Sequence, residues 1–195
     1  MKSSRTHCSA LLFAATLILG TAPATANSVA VIVKAGSFSV SKDRQTIDNV
    51  SVIIDDSASS VFGLELEWRQ TSGIAFGLEY VQYENDVART GSSARSTMQT
   101  MAILGNIKKY FRPTSTVNPY IGAGIGAAGI DFSGNLITGS AGGLAAQAMT
   151  GVEFRWNKVG LYTELKYLYA EAEDDFNQTA KGTGTGMFAG VSFSF

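Results

Sequence analysis

From Asn27 onward, apolar residues recur at every second position, the period of a β-strand with one apolar face and one different face. Phe62, Leu64, Leu66 and Trp68 alternate with Gly63, Glu65, Glu67 and Arg69. Ile74, Phe76, Leu78 and Tyr80 alternate with Ala75, Gly77 and Glu79. Ala148, Thr150, Val152, Phe154 and Trp156 interleave with Gln147, Met149, Gly151, Glu153 and Arg155. Leu161, Thr163, Leu165, Tyr167 and Tyr169 interleave with Tyr162, Glu164, Lys166 and Leu168. At the C-terminus Met187, Ala189, Val191, Phe193 and Phe195 alternate with Phe188, Gly190, Ser192 and Ser194. Three segments of lower contrast complete the set. In 28–40, Val29, Val31 and Val33 oppose Lys34; in 98–111, Met101, Ile103 and Ile107 oppose Asn106 and Lys108; in 118–132, Ile121, Ala123, Ile125 and Ala127 oppose Gly122, Gly124 and Gly126. The pattern predicts eight strands.

The connections alternate in length. Short links fall at 70–73, 112–117 and 157–158, and long ones at 41–58, 85–97, 131–143 and 172–182. Short turns at one end and long loops at the other are the layout of a barrel that crosses a membrane. The expected fold is therefore all-β: an eight-stranded antiparallel up-and-down transmembrane β-barrel.

The N-terminus has a different character. Lys2 and Arg5 precede an apolar run, Ala10–Gly20, broken only by Thr16, and Ala24-Thr25-Ala26 supplies small residues for cleavage before Asn27. The run is shorter than the roughly 20 residues a membrane-spanning helix requires, so it reads as a cleavable signal peptide. Cys8 precedes the run and so is not placed as a lipid-bearing cysteine. The chain divides into a signal peptide, 1–26, and one barrel domain, 27–195.

Removing the leader changes the chemistry. The only Cys and the only His of the chain, Cys8 and His7, leave with it. The net charge moves from −1 to −3, because the leader holds two basic residues and no acidic one. That balance gives no reason to expect a nucleic-acid partner.

Alternation alone does not say which face points outward, and three features decide it. Trp68, Phe111, Trp156 and Phe195 fall on the apolar face at the end of the short turns, while Tyr80, Tyr167 and Tyr169 fall toward the other end. Two such belts are expected where lipid meets water. The opposite face carries Glu65, Glu67, Arg69 and Glu79, then Glu153, Arg155, Glu164 and Lys166, with Lys34 as an addition. These near-balanced charges suit a confined lumen in which each needs a partner. The glycines of 118–132 leave room for long side chains in a narrow eight-stranded interior.

The third feature is the ending, Met187 to Phe195, with apolar residues at alternate places and a final Phe. It resembles the terminal strand of outer-membrane proteins. That resemblance implies recognition by the barrel-assembly machinery through Val191, Phe193 and Phe195. The stretches NIKKYF (106–111), NPYIGAGIGAAG (118–129), GVEFRW (151–156), GLYTELKYLY (160–169) and FAGVSFSF (188–195) carry a wider likeness. With them the chain resembles the small outer-membrane β-barrel family that groups the OmpA transmembrane domain, OmpX, Ail and the opacity-type barrels. The resemblance implies residence in the outer membrane of a Gram-negative cell, in contact with its lipids including lipopolysaccharide. Its motifs are architectural rather than catalytic.

Barrel enzymes of the outer membrane (lipid A palmitoyltransferases and deacylases, phospholipases, omptin proteases) use a histidine, the usual side chain that titrates near neutral pH. Residues 27–195 contain none. Gly124, Gly126 and Gly129 spell a dinucleotide fingerprint, but no helix follows to meet a pyrophosphate. Glu171, Glu173, Asp174 and Asp175 lack the spacing of a calcium loop. Glu65 and Glu67 have Arg69, Arg155 and Lys166 as partners, which favours a salt-bridged plug over glycosidase chemistry. No catalytic, cofactor or metal site is expected. The expected role is structural or surface-interacting, through extracellular loops that contact an external partner; the alternative is a narrow channel or carrier for small apolar molecules, as in OmpW-like barrels.

Overall fold

The computed structural model describes residues 28–41, 44–47, 50–54, 59–88, 95–135, 139–173 and 179–195. The leader and its cleavage site lie outside the described residues, as do Asp174 and Asp175.

Among the described residues eleven strands follow one another: β1 Ser28–Val40, β2 Arg44–Ile47, β3 Val50–Ile54, β4 Ser59–Arg69, β5 Ile74–Ala88, β6 Arg95–Tyr110, β7 Val117–Gly134, β8 Gly139–Trp156, β9 Val159–Glu173, β10 Thr179–Lys181 and β11 Gly184–Ser194. Eight of them, β1, β4–β9 and β11, form the wall. Each pairs antiparallel with its neighbours, and β1 joins both β4 and β11. The sheet closes on itself. Closure leaves the eight-stranded wall without an edge strand, the only way a sheet satisfies its backbone within lipid.

All eight expected strands are present with the expected inward and outward phase. Ser28 pairs with Arg69 and Ala30 with Ser194, so the two ends of the barrel chain lie beside the short turns. Two turns show why their residues are there. Gly73 sits at φ 82° and Asn157 at φ 55°, left-handed geometry that glycine accepts freely and asparagine better than most.

The long connections differ from expectation, because much of 85–97, 131–143 and 172–182 is strand. The β5–β6 ladder continues to Ala88↔Arg95, and the β7–β8 ladder to Phe132↔Gly139. Region 41–58 contains the hairpin β2–β3, which docks on β5 through Ile53↔Ala88 and Ile54↔Val87. The physical reason is that alternation does not stop there: Met98, Ile130 and Phe132 still point inward and are buried. The wall therefore rises beyond the lipid-facing band on the long-loop side.

Candidate functional site

The lumen is divided along its axis. Its periplasmic half holds the charges, and its extracellular half is an apolar cluster that includes Phe38, Val61, Tyr83, Met98, Leu104 and Phe132. Leu168 and Phe188 belong to this cluster in the inward phase that alternation assigns them, and its other members add an apolar half to the expected charge network. Leu104 and Leu168 stand inward beside apolar or aromatic outward neighbours, Ile103, Tyr167 and Tyr169, so the alternation there has little contrast.

Period-two spacing builds the polar half. Glu65, Glu67 and Arg69 fall on one face of β4, and Asn106, Lys108 and Tyr110 on one face of β6. Tyr162, Glu164 and Lys166 do the same on β9, and Glu153 and Arg155 on β8. At mid-height Lys34 lies 2.9 Å from each of Glu65, Glu79 and Glu164. Lys166 pairs with Glu79 and stands 3.4 Å from Glu164. Lys108 links this group to the next, 2.7 Å from Glu65 and 3.0 Å from Glu67. Arg69 then holds Glu67 at 2.5 Å and Glu153 at 3.0 Å, and Arg155 closes the series on Glu153 and the Pro113 carbonyl.

Neutral groups fill the remaining valences. Asn106 donates to Glu65 and Glu79, and Gln147 donates to Glu79 and Asn106. Tyr110 donates to Glu67, Tyr120 to Glu164, and Ser192 to Glu153. The phenol of Tyr162 accepts from Arg69 and meets that of Tyr110. Glycines make the space: a Cβ on Gly124 would lie 2.0 Å from Asn106 Oδ1, and one on Gly77 2.5 Å from Glu65 Oε1.

The structure thus brings Glu65, Glu67, Arg69, Glu79, Glu153, Arg155, Glu164 and Lys166 into one network with Lys34. It adds Lys108, Asn106, Gln147, Tyr110, Tyr120 and Tyr162. Lys108 shares the inward phase of Asn106 and was legible to that extent. Its neighbour Lys109 faces outward and reaches the Ser72 carbonyl at the rim, and two adjacent lysines blur the phase.

On the outer face, Phe111, Trp156 and Phe195 are exposed at the periplasmic rim, and Tyr167 and Tyr169 toward the other end. Tyr80 is half-buried and donates to Gln82 Oε1 at 2.6 Å. Trp68 departs from the expected exposed belt. It keeps the outward register but is only 8% exposed, against 55% for Trp156. Val29 and Phe76 stand on its two sides in the ladder, at the distance where cross-strand side chains pack. Val191 is half-buried, while Phe193 and Phe195 are exposed along the closing strand.

No protein-family model matches the chain, and no curated protein does. Solved structures do. Neisserial surface protein A superposes with a TM-score of 0.59 at 19% identity, over 87% of this chain and 99% of that one. OprG from Pseudomonas aeruginosa gives 0.61 at 13% identity, over 88% and 97%. The fold is that of the small outer-membrane barrels. Ail, the attachment invasion locus protein of Yersinia pestis, shares it with a TM-score of 0.54 at 13% identity, over 86% and 98%. Such barrels include proteins named for attachment, and among the described residues no group of side chains is arranged to hold a metal ion.

Proposed function

We infer that this chain is a non-enzymatic, non-conducting outer-membrane barrel whose wall anchors it and whose extracellular end makes surface contacts. One observation carries the reading. Five glutamates meet five bases (Lys34, Arg69, Lys108, Arg155 and Lys166) across the periplasmic half of the lumen among the described residues. An eight-stranded lumen is only wide enough for its side chains to fill it, and a bonded, neutral network leaves an ion no path. The external partner, lipopolysaccharide contact and use of Val191, Phe193 and Phe195 in assembly belong to the same reading. The attachment role in Ail's name supports it by analogy of fold alone.

A second reading has a specific observation behind it. The extracellular half of the lumen is apolar, which suits a carrier of small apolar molecules. Planar-bilayer conductance, paired with uptake of a fluorescent apolar probe into liposomes, separates the two. The first reading expects neither a steady open current nor probe entry above that of empty liposomes. A steady current or barrel-dependent probe entry would overturn it in favour of passage.

A further inference from the structure

The outer surface of the barrel is polarised by charge. Glu84 and Asp86 on β5, Asp131 on β7 and Glu171 on β9 stand in the outward register at the extracellular end. At the periplasmic end the outward positions and turns of the described residues hold Lys109, Arg112 and Lys158, all exposed, and no Asp or Glu.

Lys109 is the cation of this set that faces the membrane. It stands on β6 between Ile107 and Phe111 along the strand, and between Ile74 of β5 and Ile121 of β7 across it. Ile107, Phe111 and Ile121 are exposed on the outer face. A charge among such neighbours is costly in hydrocarbon, so a long basic side chain lays its stem on the apolar surface and holds its charge at the interface. Lys109 does this: Nζ donates to the Ser72 carbonyl on the rim at 2.7 Å. That partner is neutral and takes one of the three donors of the ammonium. The charge itself has no carboxylate against it among the described residues.

Arg112 begins the turn that follows, three residues further on. Its carbonyl accepts from Ser115 N at 3.0 Å, which fixes the turn. Its guanidinium has no hydrogen bond or ion pair among the described residues. Lys158 belongs to a different turn, beside Ser194 of the closing strand.

A ligand that suits Lys109 carries an anion at the height of the rim and apolar chains below it. Phospholipids have that shape. A zwitterionic headgroup brings its own ammonium, which competes for the phosphate and is repelled by Lys109 and Arg112, whereas an anionic headgroup has no such rival. A periplasmic polyanion would reach the turns but would leave the apolar surround of Lys109 uncovered. We propose that Lys109 and Arg112 hold the headgroup phosphate of an anionic phospholipid of the periplasmic leaflet, with its acyl chains laid over Ile107, Ile121 and Phe111. The proposal goes beyond the surface-contact reading, since it concerns the opposite end of the barrel.

Native mass spectrometry of the full barrel tests it. The barrel is released from detergent micelles doped with equal amounts of dioleoyl phosphatidylglycerol and dioleoyl phosphatidylcholine, and the lipids that stay bound are counted. Phosphatidylglycerol should be retained in preference. One basic residue at an anionic lipid surface favours binding about fivefold. Lys109→Gln and Arg112→Gln should therefore each reduce the preference by about that factor, and Lys109→Arg should keep it. Lys158→Gln should leave it unchanged, with heat-modifiable migration on gels reporting that each variant is folded. Inorganic phosphate at millimolar concentration, against chloride of equal ionic strength, should not displace the lipid.

Equal retention of the two lipids by the parent overturns the proposal, as does a preference that folded Lys109→Gln and Arg112→Gln both keep. A loss in Lys158→Gln as large as that in Lys109→Gln would replace the site with a diffuse ring of charge. Displacement by phosphate would replace the lipid with a free anion. None of these results bears on conductance, so the surface-contact reading stands or falls separately.

Discussion

Lys34 and Glu164 are 130 positions apart in the chain, and their charged atoms lie 2.9 Å apart in the lumen. Their strands, β1 and β9, are not paired, because β11 runs between them. Gly190 is the residue of β11 that faces Lys34 in the ladder, and a Cβ there would stand 3.1 Å from that of Lys34. The lysine leans across this gap, and two other cations also join carboxylates of different strands: Lys166 those of Glu79 and Glu164, and Arg69 those of Glu67 and Glu153.

Such sharing makes single deletions costly. Removing one member of a fully buried pair leaves an uncompensated charge, which costs about 3–5 kcal/mol. Lys108→Ala is expected to fall toward the lower end of that range, since it takes one cation from both Glu65 and Glu67 while Lys34 and Arg69 stay in place. Arg155→Ala should cost less, because the Arg155 side chain at the periplasmic mouth is 22% exposed and water replaces part of its contact. Arg112→Ala, on the exposed turn, is the control. Urea unfolding midpoints in detergent should follow that order; equal midpoints for Lys108→Ala and Arg112→Ala would refute the network.

Two glycines on one strand test the lumen's packing. Gly124→Val drives a side chain into Asn106, whereas the position at Gly129 has nothing within 4 Å. Overpacking of this kind costs roughly 1–3 kcal/mol. Gly124→Val should lower the unfolding midpoint and Gly129→Val should leave it nearly unchanged. The reverse order would mean that the inward and outward faces are exchanged.

The lipid-facing band yields a third expectation. Leu165 is 52% exposed on the outer face of β9, and Leu66 shares that face on β4. Leu165→Arg and Leu66→Arg should each destabilise the barrel by about 2–4 kcal/mol in lipid vesicles if they lie near the midplane. Refolding equilibria unaffected by both would remove the bilayer from the account.

The two tryptophans offer an optical check. Single-tryptophan variants made by Trp68→Phe and Trp156→Phe should differ in quenching by brominated lipid. Trp156, exposed at the rim, should be quenched strongly, and the covered Trp68 weakly. Equal quenching would show that Trp68 also faces lipid.

The eight strands of the wall, their phase and the end at which the short turns lie could all be read from the chain's alternation, whereas β2, β3 and β10 could not. Each follows from local rules: a strand alternates its faces every residue, so Phe62 to Arg69 or Leu161 to Tyr169 declare their orientation without reference to other strands. Alternation also placed Glu65, Glu67, Arg69, Glu79, Glu153, Arg155, Glu164 and Lys166 on one face. Which of these side chains meet is a matter of how the strands assemble. The partners of Lys34, the insertion of Lys108 between two glutamates and the division of the lumen into polar and apolar halves depend on the register between strands that are distant in sequence. The covering of Trp68 depends on it too. Register is a relation between segments, set where whole ladders pack together, and no single strand's alternation contains it.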